Sequence, residues 1–310
     1  MNKSKLIFVL LTSLAFGACS NDDEQVTQQP KSYPLTIEVT ENPLIPDGEE
    51  GGTATRAAIT TNSTLTGFKL DYWYSGTSND GSTPITADKD GEGKWVNHAG
   101  TSFGWPIIEE TVYWYAYTDG TLNLNSGTPY INFTVDENAA TQKDLLVATA
   151  SGTYSGTGGK LSFSFDHACS ALRFYVKKAT NLGSNALTVT NIRLCNAKRN
   201  GRYYFGSGDW QSVQTDASYT LYSGAAKTIN SGSYELLNGS EDNSYLFMIP
   251  QNLTGWNSST NTNGTYIEVV WTCTSVGSGS GTAKIPLAIN MVKGHQYDVK
   301  INLGSTSLSN

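Results

Sequence analysis

The residue types that could do chemistry are few in this sequence. The tightest group is Phe165-Asp166-His167-Ala168-Cys169-Ser170, which sets an acid, an imidazole and a thiol side by side. Those are the residue types of a cysteine nucleophile with its general base. On an extended strand, however, side chains alternate between faces, so His167 and Cys169 share one face while Asp166 takes the other. Nothing around them suggests a cleft or an oxyanion site. His98 and His295, the other two histidines, are far apart and lack zinc-ligand spacing. Asp80, Asp88, Asp90 and Glu92 cluster in one polar stretch, and its DKDGEG run shares part of a calcium loop. It lacks the terminal bidentate Glu, so it reads as a solvated loop. There is no HExxH, no GxSxG and no phosphate loop. The expectation is no catalytic residue, no metal and no cofactor, and so not an enzyme.

Two aromatic runs, Tyr72-Trp73-Tyr74 and Tyr113-Trp114-Tyr115 with Tyr117, leave two readings open. Alternate rings on a strand face opposite sides. Inward rings fill a sandwich core, while outward Trp and Tyr make platforms for sugar stacking. The second reading gives an alternative function, a surface glycan-binding lipoprotein of a polysaccharide uptake system.

Cys19 is reactive for a different reason. Lys3 and Lys5 precede a short apolar run, Leu6–Phe16, followed by Gly17 and Ala18 immediately before the cysteine. A charged start, an apolar stretch too short to span a bilayer and a small-residue exit make a secretory signal over residues 1–18. The cysteine at the exit turns this into a bacterial lipoprotein signal. The Cys19 thiol becomes a thioether to diacylglycerol and tethers the chain to a membrane. The cluster Ser20-Asn21-Asp22-Asp23-Glu24 follows at once. It is either a solvated tether or, by its likeness to the acidic tag of Bacteroides-type lipoproteins, a signal for the outer face of the outer membrane.

These candidates must be positioned by β-structure. The 310 residues carry a net charge of −7 without a basic block, which argues against nucleic acid. Tyr (17) and Trp (7) are abundant and Met (3) is scarce, the profile of an extracellular sheet protein. Once Cys19 is lipidated, Cys169, Cys195 and Cys273 remain. They form one bridge between Cys169 and Cys195 or stay small buried thiols. In YPLTIEVT (33–40), Leu35, Ile37 and Val39 alternate with polar residues, a strand with one buried face. Residues 42–55 are rich in Pro, Gly and acid and form an exposed loop that ends at Arg56.

Further strands are expected at 68–74, 111–117, 130–135 and 144–150. After a Gly- and Ser-rich edge at 152–159, more follow at 160–165, 171–177, 187–194, 203–205, 244–249, 266–274 and 297–303. Short strands separated by turn residues indicate antiparallel sandwiches rather than βαβ units.

Several of these strands carry markers in a fixed order. They are Asp144-Leu-Leu-Val-Ala148, Leu161-Ser-Phe-Ser-Phe-Asp-His167-Ala-Cys-Ser170-Ala-Leu-Arg-Phe174, Tyr245-Leu-Phe-Met-Ile-Pro-Gln251 and Lys293-Gly-His-Gln-Tyr-Asp-Val-Lys-Ile-Asn-Leu303. With the lipoprotein signal and the Arg56 loop, the chain resembles the fimbrillin family of Bacteroides-type bacteria, the subunits of pili. The resemblance implies an all-β fold of two transthyretin-like β-sandwich domains of Greek-key type. The division would be residues 1–18 as signal peptide, 19–56 as lipidated propeptide, 57–155 and 156–310 as the two domains. In such a family His167 is a structural marker of its strand.

The resemblance also implies a mode of assembly. An Arg-specific protease would cut between Arg56 and Ala57. The strand of Leu35, Ile37 and Val39 would leave with the propeptide, and a strand from the next subunit would fill the opened groove. Tyr297, Val299, Ile301 and Leu303 give the candidate donor strand its alternating pattern. The expected partners are then other pilin subunits, the protease, the outer membrane through the lipid, and a host or bacterial surface ligand. The expected location is the outer membrane and cell surface, and the fimbrium after processing. If Arg56 is left uncut, Cys19 holds the subunit as a lipid-retaining pilus anchor.

Overall fold

The chain is described by a computed structural model that covers residues 33–46, 65–75, 77–78, 84–124, 128–237, 245–274, 276 and 279–308. Strands dominate, as the sequence leads one to expect. Among the described residues the helical pieces are the four-residue helices Tyr154–Thr157 and Ser305–Leu308 and two short 3-10 turns. Among the described residues no helix is long and apolar enough to cross a membrane.

Alternation builds the first core. Lys160–His167 alternates strictly between exposed and buried positions, sending Leu161, Phe163 and Phe165 inward. Val112–Tyr117 sends Val112, Trp114 and Ala116 the same way, and Gly67–Tyr74 sends Phe68 and Leu70. These strands lie in a nine-stranded sheet in the order Trp95–Asn97, Ile85–Lys89, Gly67–Tyr74, Val112–Tyr117, Leu146–Gly152, Lys160–His167, Pro34–Glu41, Phe103–Gly104, with Thr77–Ser78 beside Gly67–Tyr74. Phe68 packs its ring on Phe163 and Phe165 at 6.1 and 5.2 Å, although two strands separate theirs in the sheet. The sheet therefore curls so that distant strands share one apolar interior.

The second core lies between two further sheets. One runs Ser280–Pro286, Tyr266–Thr272, Leu187–Tyr204, Tyr130–Thr134, Thr121–Asn123, with Asp209–Ile229 also on Leu187–Tyr204. The other runs Glu235–Leu236, Ser170–Lys178, His295–Leu303, Ile45–Pro46, with Leu246–Met248 also on Ser170–Lys178. Leu194 and Val269 from the first of these meet Leu172, Val176 and Val299 from the second. The chain crosses between the cores more than once. Ile131 and Phe133 belong to the second core, whereas Leu161 and Phe163, later in sequence, belong to the first.

Two features differ in detail from the sequence reading. The segment 187–194 and most of 203–205 belong to one strand, Leu187–Tyr204, which forms a long hairpin with Asp209–Ile229. Register shifts interrupt this hairpin, one of them between Cys195 and Ala197, where Asn196 takes φ 61°. Asn tolerates that left-handed conformation, and the bulge bends the ribbon over the core. In addition, three pairings are parallel: Pro34–Glu41 with Lys160–His167, His295–Leu303 with Ser170–Lys178, and Ile45–Pro46 with His295–Leu303. Each joins segments far apart in sequence, as parallel pairing demands.

Candidate functional site

The N-terminal strand is a nearly complete sheet member. Pro34–Glu41 pairs with Lys160–His167 over six positions, from Thr36 opposite Lys160 to Glu41 opposite Phe165. On its other side Pro34 and Leu35 pair with Gly104 and Phe103. Hydrogen bonds tie its ends: Thr36 N–H donates to the Gly159 carbonyl at 2.9 Å, Asn42 N–H to Phe165 at 2.8 Å, and Trp105 N–H to Tyr33 at 2.8 Å. Leu35 and Ile37 are buried in the first core, and Val39 is half-buried against it. Each fully buried apolar side chain of this size stabilises by about 1.5–3 kcal/mol.

The segment then continues onto the second core. Asn42 Nδ2 donates to Asp166 Oδ1 at 2.7 Å and to Ser164 Oγ at 3.2 Å. Leu44 is buried against Ala171 and Tyr245. Ile45 N–H donates to the Gly294 carbonyl at 2.8 Å, and Ile45 and Pro46 pair with His295 and Gln296. Thus a short stretch, Pro34–Pro46, binds a sheet of each core. Leu44, Ile45 and Pro46 lie in a run whose Pro and Gly content conceals this role from sequence reasoning.

Where the two cores meet, His167 is buried and its Nδ1 pairs with Asp144 Oδ2. Its Nε2 is 4.0 Å from Glu41 Oε1, on the N-terminal strand. Burial alone would lower the pKa of His167. The hydrogen bond and charge of Asp144, the charge of Glu41 and a hydrogen bond to the Asn42 backbone outweigh it and raise the pKa above the ordinary value. Cys169 is fully buried and its thiol is pushed well up by desolvation, the opposite of an activated nucleophile. Asp166 faces away, toward Asn42. The acid, imidazole and thiol therefore form no nucleophilic set, and His167 serves to join strands.

The candidate donor strand lies inside the second core. His295–Leu303 pairs with Ser170–Lys178 over eight positions, from Gln296 opposite Ala171 to Leu303 opposite Lys178. Tyr297, Val299, Ile301 and Leu303 are all buried. They do not meet Leu35, Ile37 and Val39, which belong to the other core. Ile45–Pro46, shortly after the first strand, pairs with the start of His295–Leu303. Cys19, Arg56 and Ala57 lie outside the described residues.

The remaining candidates have local roles. Asp90 Oδ1 accepts from the backbone of Glu92 and Lys94 at 2.9 and 2.8 Å, closing a turn, and His98 Nδ1 pairs with Asp88 Oδ2 at 2.6 Å. Asp80 lies outside the described residues. Cys169, Cys195 and Cys273 are buried, and none of the three is in a disulfide. The aromatic runs divide by face: Trp114 fills the first core with Tyr72 packed on it, while Trp73 and Tyr113 are exposed.

Comparison with known proteins agrees with this architecture. A family model described as fimbrillin-like matches residues 52–310. No curated protein matches the chain. Among solved structures, a fimbrial protein from Bacteroides vulgatus is similar at 16% identity and TM-score 0.54, over 87% of this chain and 95% of that one. A candidate cell adhesion protein from Bacteroides ovatus is similar at 15% identity and TM-score 0.52, over 89% and 94%. At these identities the likeness is one of fold.

Proposed function

The chain belongs to the fimbrillin-like family, and on that premise we propose that it is the precursor of a pilus subunit that is exported as a lipoprotein and activated by loss of its N-terminal strand. The observation that carries this reading is the placement of Pro34–Pro46. It supplies buried side chains and backbone hydrogen bonds to both cores, yet it precedes Arg56 in the chain. A cut after Arg56 by an Arg-specific protease separates it covalently from everything that follows. Its departure strips Leu35 and Ile37 from the first core and exposes the edge of Lys160–His167. An open edge beside an apolar groove is a template for another strand. A strand from a neighbouring subunit refills it, joining subunits by β-strand addition.

The candidate donor is the C-terminal strand, whose Tyr297, Val299, Ile301 and Leu303 have the alternation that the groove accepts. Its ladder with Ser170–Lys178 opposes donation, so exchange draws on the free energy of refilling the emptied groove. The lipid on Cys19 delivers the precursor to the outer membrane and leaves with residues 19–56.

The test is N-terminal sequencing of the chain recovered from the cell surface, with electrophoresis in SDS without heating. The expected form begins at Ala57 and runs as a ladder, and Arg56→Ala abolishes both. Intact chains that begin at lipidated Cys19 and form no polymer would reject the shaft role and support the anchor.

A further inference from the structure

Trp73 and Tyr113 are two of the three large hydrophobic side chains exposed among the described residues, at 37% and 42%, and they lie side by side. Val292, the third, is in another part of the chain. Trp73 and Tyr113 are register partners on neighbouring strands, with ring centroids 5.5 Å apart and ring planes tilted by 47°. Ser151 is opposite Tyr113 on the next strand, so Trp73, Tyr113 and Ser151 form a row on one face. The adjacent row places Tyr115 opposite Thr149. Directly opposed residues share a face of the sheet. Thr149 and Ser151 are exposed.

Tyr113, Tyr115, Thr149 and Ser151 form one side of a cavity of about 430 Å³, and Trp73 extends that face beyond the lining as the ring neighbour of Tyr113. Phe205, from the turn of the long hairpin, walls the other side and packs its ring 5.1 Å from Tyr115. The size falls within the roughly 300–1,000 Å³ usual for small-ligand sites. Among the described residues its lining holds rings, hydroxyls and backbone but no charged side chain. With no charged side chain it offers no ion-pair partner, and its hydroxyls favour a polar neutral ligand. It suits a ligand with flat C–H faces to stack and hydroxyls to exchange hydrogen bonds. Exposed aromatic surface of this kind marks binding sites, and tyrosine and tryptophan supply both a ring face and a polar edge.

We propose that the face formed by Trp73, Tyr113 and Tyr115, with Thr149 and Ser151 beside them, is a binding site for a neutral carbohydrate. The Trp73 and Tyr113 rings stack on pyranose faces, Phe205 closes the far side, and the Thr149 and Ser151 hydroxyls pair with sugar hydroxyls. The site is separate from the groove of the N-terminal strand, since Trp73 and Tyr113 face away from the core that holds Leu35 and Ile37. It holds whether or not Arg56 is cut.

The test applies the purified chain to an array of immobilised neutral, sialylated and sulfated oligosaccharides, and then titrates the strongest neutral one in solution. Retention of neutral oligosaccharides is expected. Trp73→Ala and Tyr113→Ala should each weaken binding about tenfold or more, the scale of one lost ring contact. Because both rings are exposed, the variants should melt like the parent. Trp73→Phe keeps a ring and should retain most of the affinity while losing the ligand-dependent change in tryptophan fluorescence. No neutral glycan bound above background, binding confined to acidic glycans, or equal affinity in folded Trp73→Ala would each overturn the assignment.

Discussion

His167 Nε2 stands 4.0 Å from Glu41 Oε1, so a buried imidazole of the folded body meets a carboxylate of the N-terminal strand. On its other nitrogen His167 holds Asp144. Two of the four influences that raise its pKa, the charge of Glu41 and the hydrogen bond to the Asn42 backbone, come from residues that a cut at Arg56 would release. Occupancy of the groove and protonation of His167 are therefore linked.

The direction of that linkage follows from the raised pKa. The unfolded imidazole titrates near 6.5, and the folded one titrates higher. The stabilisation from the charged imidazole is thus complete below pH 6.5 and is lost as pH rises through the folded value. Glu41→Gln should lower the folded pKa of His167 and flatten this dependence. With three histidines in the chain, an NMR titration of the imidazole resonances can follow it. An unchanged His167 midpoint in Glu41→Gln would show that Glu41 does not contribute.

Ile37 and Val39 differ in burial, and that difference should appear in stability. Ile37 is 6% exposed, whereas Val39 is only half-buried. Ile37→Ala should cost the uncut chain about 2–5 kcal/mol, the range for truncating a buried aliphatic residue. Val39→Ala should cost clearly less. Urea unfolding of the uncut chain measures both. Once residues through Arg56 are removed, neither difference should persist, because both side chains have left.

Much of this was legible in sequence. The alternation of Leu35, Ile37 and Val39 announces a one-faced strand, because a two-residue period has no other use. Its partner was not legible, since parallel pairing with Lys160–His167 is set by tertiary topology and leaves no local mark. Leu44 was missed because it sits between prolines and makes no pattern, although Ala171 and Tyr245 bury it. Asp209–Ile229 was missed because it lies over one face of a hairpin with mostly polar side chains outward; only Ala217, Tyr219, Leu221 and Ile229 are buried. Alternation did separate Tyr72 and Trp114 from Trp73 and Tyr113. It could not say which pair is covered, as both faces are aromatic. The second core decides that, by covering Tyr115 and Tyr117 and stopping short of Trp73 and Tyr113.

The same face contains a buried carboxylate, Asp71, which accepts a hydrogen bond from the Tyr117 hydroxyl at 3.0 Å. Burial, followed by the charge and hydrogen bond of Asp71, pushes the Tyr117 phenol far above its ordinary value, so it remains a donor at any physiological pH. Tyr117→Phe removes that donor from a buried carboxylate and should cost about 1.5–3 kcal/mol. Parallel urea melts of parent and variant test this, and an unchanged stability would count against the role assigned to the Tyr117–Asp71 hydrogen bond.

The C-terminal strand is latched behind itself. After Leu303 the chain turns into Ser305–Leu308, Leu308 is 2% exposed in the second core, and Asn181 Nδ2 donates to Ser305 Oγ at 2.9 Å. A strand that must leave its own sheet has to release this latch first. Leu308→Ala should lower stability by about 2–5 kcal/mol, seen as a lower melting temperature. If His295–Leu303 is the donor, the same substitution should speed ladder formation by the chain that begins at Ala57, because less free energy holds the strand in place. An unchanged or slower rate, with the melting temperature lowered as expected, would remove this strand from the exchange and direct the search to another edge.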